Sequence, residues 1–201
     1  MPLLRHNPER AGSTRSANTA APPDRSALAV PPGARDITLA APKSVSVPAS
    51  FLSPEDERLN AVFTGHESAV LDVLSWLDEN AAFAHSGTDT FGCRGLNTMV
   101  VLHTSSARRH PHIHSHVLVD PTVTGMDGRP YPVDWDVFEQ ALIAAAPLYR
   151  ASLRHNLVQS LGVTWTRDHH GSEWQIAGVP EALLFQWPDT TCDFPSFHEV
   201  R

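Results

Sequence analysis

The stretch HTSSARRHPHIHSHVLVD, His103 to Asp120, holds five of the chain's twelve histidines in eighteen residues. In an extended strand, side chains two apart share a face. His114 and His116 therefore point the same way from a strand Ile113–Val119, with Val117 and Val119 opposite them, and His112 joins their side if the strand starts early. His103 closes the preceding apolar run, so an antiparallel return sets it beside them. Three imidazoles converging from adjacent strands make a facial triad that leaves open positions on a divalent metal. Because neutral ligands leave the ion its full charge, it can polarise a phosphoryl oxygen. Each ligand needs a partner for its second ring nitrogen, and Asp36 at the start of the first strand can supply one. A His-x-His pair alone is weak grounds for a metal. His110, His112, His155, His169 and His170 are read as loop or surface residues.

The elements that must position these groups follow from periodicity and breakers. Residues 36–40, Asp-Ile-Thr-Leu-Ala, alternate like a strand that ends before Pro42. A long helix is expected from Ser53 as N-cap, with Pro54 in its first turn and one buried face on Leu59, Val62, Phe63, Ala69, Val70, Val73, Leu74 and Leu77. Short strands are expected at 82–85, 97–103 and 113–119, with SGTDTFGCRG and TSSARRHPH as loops and GMDG as a turn. Asp134 reads as the N-cap of a second long helix that ends at Gly162 and is kinked at Pro147. VTWTRDHHGSEWQIAG reads as a hairpin and PEALLFQW as a short helix. Two long helices with five or six strands, not in strict alternation, give an α+β architecture: an antiparallel sheet with helices packed on it.

Composition bounds the rest. The chain of 201 residues fits one domain, and 41% hydrophobic with 18% charged residues is globular usage. No apolar run approaches the roughly 20 residues of a membrane span, so no membrane partner is expected. Two distant cysteines, Cys93 and Cys192, form no disulfide framework, which suits a cytoplasmic location. Residues 1–35 carry six prolines and no Phe, Tyr or Trp, and are expected to be disordered; 188–201 is expected to be an irregular tail. A net charge of −7 argues against a general nucleic-acid binder. From Thr90 to Val119, however, there is no acidic residue, while Arg94, Arg108 and Arg109 accompany the histidines. Such a face can hold a phosphate; a chance gap in a low-charge sequence is the bland alternative.

Three segments also resemble a known family. RDITLAAPKSVSV looks like the D-L-T-F-S-A-P-K-S-V-S signature of the TrwC/TraI-type (MobF) conjugative relaxases. LHTSSARRHPHIHSHVLVD is similar to their F-x-H-x-T-S-R and D-P-x-L-H-T-H-V-V-V pair. DGRPYPVDWDVFEQALIAAAPLYRASLRHNLVQSLGVTW resembles their D-G-R-W segment, the helix after it and L-G-V-x-W. The likeness covers about residues 35–187 and implies an HUH endonuclease fold over 36–187. It implies metal ligands at His103, His114 and His116, an ion such as magnesium, manganese or zinc, and a supporting acid at Asp36. Lys43 falls in the A-P-K-S turn; it joins Arg108 and Arg109 as a candidate contact to substrate DNA. The implied chemistry is metal-dependent nicking of single-stranded transfer-origin DNA by tyrosine transesterification in plasmid conjugation, with other conjugation proteins as further partners. The family's catalytic tyrosines precede the first of these motifs, and this chain has no tyrosine before Asp36. The family's Ser-Arg after the first histidine is also replaced, by SSA. The expectation is therefore a domain, shortened at both ends, that binds metal and DNA without self-sufficient nicking. The alternatives are a nickase using Tyr149, or a metal-dependent hydrolase of another substrate.

Overall fold

A computed structural model describes residues 30–168 and 173–187, together with the backbone of Leu4–His6 and Phe197–Glu199. In chain order the elements are β1 (Leu4–His6), β2 (Arg35–Ala40), α1 (Lys43–Ala49), α2 (Glu57–Asn80), β3 (Phe83–Ser86), β4 (Asp89–Ser105) and β5 (Pro111–Gly125). β6 (Pro130–Pro132), α3 (Trp135–Leu161), β7 (Trp165–Arg167), β8 (Trp174–Ile176), α4 (Glu181–Leu184) and β9 (Phe197–Glu199) follow. Seven strands form one sheet in which every pairing is antiparallel. Its main path runs β1-β4-β5-β2-β9, β3 and β6 pair with the outer parts of β4 and β5, and β7–β8 is a separate hairpin. The α+β reading holds.

Alternation along β5 decides which side is which. Ile113, Ser115, Val117 and Val119 are all buried on one face. There they join Ile37 and Leu39 of β2 in a core completed by Val73 and Leu77 of α2 and by Phe138, Leu153 and Leu157 of α3. Fully burying each such large side chain contributes about 1.5–3 kcal/mol, so this face anchors the sheet. The two long helices cross closely at Gly65, where a Cβ would stand 3.0 Å from Leu157 Cδ2. The opposite face of β5 carries His112, His114 and His116.

α3 begins and ends as the sequence indicates: Asp134 accepts from Val137 N–H, and Gly162 caps the C-terminus at φ +65. The helix runs on through Pro147. The start of α2 is different. The cap is Asp56, whose carboxylate accepts from Arg58 N–H, while Ser53 belongs to the preceding turn. The segment expected to be a loop after residue 85 is mostly strand: β4 starts at Asp89, pairs Gly92 regularly with Phe83, and absorbs Gly95, at φ +139, in a shift of register between Cys93 and Leu96. Its bend is tied down by Asp78 at the end of α2, whose Oδ1 accepts from Leu96 N–H at 2.8 Å. Two short strands also fall inside segments expected to lack order, β1 within 1–35 and β9 within 188–201. Both are edge additions whose partners lie far off in sequence. His169, His170 and Cys192 lie outside the described residues. Among the described residues no helix is long and apolar enough to cross a membrane.

Candidate metal centre

The β4–β5 ladder pairs His103 directly with His114, and Val101 with His116. His103 is thus across the ladder from one histidine and diagonal to the other. The three ring centroids form a triangle with every side 5.1 Å. One ligand atom from each ring lies within 4.8 Å of the others.

Hydrogen bonding fixes two of the tautomers. His116 Nδ1 is 2.9 Å from both carboxylate oxygens of Asp36, with Thr38 Oγ1 at 3.4 Å. His114 Nδ1 is 2.9 Å from the His112 carbonyl oxygen. A carboxylate and a carbonyl only accept, so both Nδ1 atoms donate a proton, which leaves each Nε2 as the nitrogen available to a metal. Burial pushes His114 down to about 3; the His112 bond opposes this, and the neighbouring imidazoles of His112, His116 and His103 add to the depression. A histidine held neutral in this way is ready to ligate. The donor set therefore fits a divalent cation: three convergent imidazoles, two with oriented nitrogens, and one carboxylate behind them.

Asp36 reaches the site because β2 pairs with β5 in a register that sets Thr38 opposite His116 and Ala40 opposite His114. Its own carboxylate is largely buried against the imidazole. Lys43 is the first residue of α1, near enough for its charge to help depress His112, after burial and His116. The His112 ring lies 4.6 Å from that of His114, at the edge of the triangle and not within it. Arg108 and Arg109 are exposed on the turn joining β4 to β5, just beyond the His103–His114 pair. That turn is closed by Ser106 N–H to His110 O and Arg109 N–H to Ser106 O, with Arg109 at φ +61. Lys43 and both arginines thus occupy the triad's end of the sheet. His85 and His155 are exposed elsewhere.

Tyr149 is not brought to the triad. It is fully buried in α3, and its hydroxyl lies 2.7 Å from His66 Nδ1, while His66 Nε2 lies 2.8 Å from Ser115 Oγ. Ser115 faces the helices, so Tyr149 sits behind the sheet from the ligands. Tyr131 pairs with Val123, and from His116 to Val123 is about 23 Å of strand at roughly 3.3 Å per residue. Its hydroxyl donates to Asp127. The His66 relay was missed from sequence, although a histidine on the apolar stripe of Val62, Ala69 and Val73 signals a buried polar partner.

Residues 7–188 match the TrwC relaxase family. Among solved structures, the chain is similar to the conjugative relaxase TrwC in a metal-bound complex with oriT DNA. That match has a TM-score of 0.66 and 25% identity, covering 76% of this chain and 52% of the other. It is also similar to TrwC complexed with a 27-mer DNA comprising the recognition hairpin and the cleavage site, with a TM-score of 0.63, 25% identity and coverage of 75% and 52%. The chain spans about half the length of these solved relaxase chains. No curated protein matches it. With the family's sequence pattern running through both sides of the histidine triangle, this chain belongs to the TrwC relaxase family.

Proposed function

We propose that this chain is a relaxase-type domain, spanning 36–187, that binds one divalent ion through His103, His114 and His116 and presents it to single-stranded DNA of transfer-origin type in the cytoplasm. The observation that carries this reading is the 5.1 Å imidazole triangle backed by the Asp36–His116 bond. An ion held there, magnesium, manganese or zinc, supplies polarisation of a phosphate oxygen. Asp36 keeps the His116 ring in the ligating tautomer and orientation. Lys43, Arg108 and Arg109 offer positive charge to the DNA backbone on either side. Against self-sufficient nicking stand the two tyrosines of the chain, one sealed among helices and the other at the far end of β5. Tyr149 is assigned to packing.

The test is incubation with manganese and an end-labelled single-stranded transfer-origin oligonucleotide. A shifted complex in a native gel, with no adduct surviving denaturation, is the expected result. A tyrosine-linked adduct would overturn the non-nicking assignment. A chain that binds manganese but no single strand at low salt would overturn the DNA reading and leave a metal-dependent hydrolase of another substrate.

A further inference from the structure

His112 touches the candidate metal centre without belonging to it. It stands two residues before His114, on the same face of β5. Its ring lies 4.6 Å from the His114 ring at an interplanar angle of 31°, far closer to parallel than the 65° to 77° between the three ligand rings. The ligand atoms that converge are those of His103, His114 and His116, and His112 adds none to them. Its carbonyl oxygen accepts from His114 Nδ1. Among the described residues its own ring nitrogens meet no hydrogen-bond partner, although the residue is half-buried. A polar ring taken partly out of water and given nothing in exchange is a cost to the fold, and beside a site that cost calls for a ligand.

The segment after β2 fixes what surrounds this ring. Ala41 N–H donates to Ile113 O at 2.9 Å, and Ile113 N–H donates to Ser46 Oγ at 3.0 Å. Ile113 is thereby gripped on both sides by residues that flank Lys43. The Lys43 ammonium comes near enough to act on His112, after burial and His116, in holding it below the ordinary histidine value. No acidic residue occurs from Thr90 to Val119, and the Asp36 carboxylate is engaged by His116. His112 is thus a hydrogen-bonding ring beside a cation site and within the field of an ammonium. A second cation is disfavoured there, and an anion is favoured. The likeness to D-P-x-L-H-T-H leaves this position open, so the histidine is a feature of this chain.

We propose that His112 is a substrate-contacting residue of the metal centre: a ring N–H donates to a non-bridging oxygen of the DNA phosphate presented to the ion, on the side where Lys43 supplies positive charge. An imidazole carries at least one N–H in either protonation state, and the stack on His114 holds the ring at the edge of the triangle. The inference rests on the DNA-binding reading above and adds a residue that metal ligation does not employ.

The experiment measures fluorescence anisotropy of the labelled single-stranded transfer-origin oligonucleotide with and without manganese, beside a manganese titration of the DNA-free protein. His112→Phe keeps a ring against His114 and removes both nitrogens. Its manganese affinity is expected to match that of the unaltered chain. Its single-strand affinity in manganese falls about tenfold or more, the loss of one hydrogen bond to a charged group. His112→Gln, which keeps an N–H donor, recovers part of that loss. Without manganese the phosphate is not drawn to the triad, and His112→Phe binds the strand as the unaltered chain does. Should His112→Phe fail to fold, His112→Leu carries the same comparison. Weaker manganese binding by the variant in the absence of DNA would overturn the assignment and make the ring a ligand or a prop for His114. Single-strand affinity unchanged in manganese, or reduced equally with and without it, would also overturn it. Those outcomes leave the DNA reading standing. An unaltered chain that binds manganese but no single strand would overturn both together.

Discussion

The two faces of β5 use histidine in opposite ways. Behind the strand, His66 is fully buried and both its nitrogens meet hydroxyls, those of Tyr149 and Ser115. In front, His114 and His116 each have one nitrogen engaged by an obligate acceptor, and the other is left toward a common centre. Burial alone does not separate the two kinds, because His66 and His114 are both pushed down to about 3. What separates them is whether the second nitrogen is satisfied inside the protein. Ser115 lies between the two ligands in sequence, so the relay behind the sheet holds the very stretch of strand that presents the site in front.

Mutating each face in turn sharpens this contrast. The largest effect is expected from His114→Ala with His116→Ala, which abolishes stoichiometric manganese binding in a titration while the far-ultraviolet spectrum stays native; retained binding would place the ion elsewhere. On the other face, His66→Ala strips the partner from two buried hydroxyls and opens a cavity. It should lower stability by about 3–5 kcal/mol in urea denaturation, yet the folded fraction keeps its metal stoichiometry. Asp36→Asn keeps the shape but removes the carboxylate that orients His116, and a 10- to 100-fold loss of metal affinity is expected. Loss of folding with unchanged affinity would make Asp36 merely structural.

Acid should act on both faces. His66 and His114 stay neutral in the fold but take up protons in the unfolded chain below its ordinary value of 6.5. Their contribution is fully present above that value and is lost as pH falls from there toward 3. The slope is up to about 1.4 kcal/mol per pH unit for each. Denaturation midpoints of the metal-free chain should fall with acid across that window, less steeply in His66→Gln. The smallest effect is expected from Tyr149→Phe, about 1 kcal/mol from the loss of one buried hydrogen bond, with DNA and metal binding untouched.

What could be read from sequence follows the range of the forces involved. The triangle was legible because strand alternation and a tight return are local, and so were α3 and its caps at Asp134 and Gly162. α1 was not: Lys43–Ala49 alternates Ser and Val and contains Pro48, yet it is helical. It is held from outside, by Ser46 Oγ accepting from Ile113 N–H and Ser44 Oγ accepting from Ile176 N–H. The early half of β4 is not legible because Gly92 and Gly95 argue for a loop, whereas Gly92 pairs with Phe83 of β3, and pairing with β5 on both sides of Gly95 carries the strand across it. The His66 relay joins residues 49 and 83 positions apart, beyond any periodic signal.

Diffraction from crystals soaked in manganese, recorded at the metal's absorption edge, tests the account most directly. It predicts a single anomalous peak bonded to nitrogens of His103, His114 and His116, with Asp36 still on His116 Nδ1. A peak at other residues, or none with the three rings left as they stand, would contradict it.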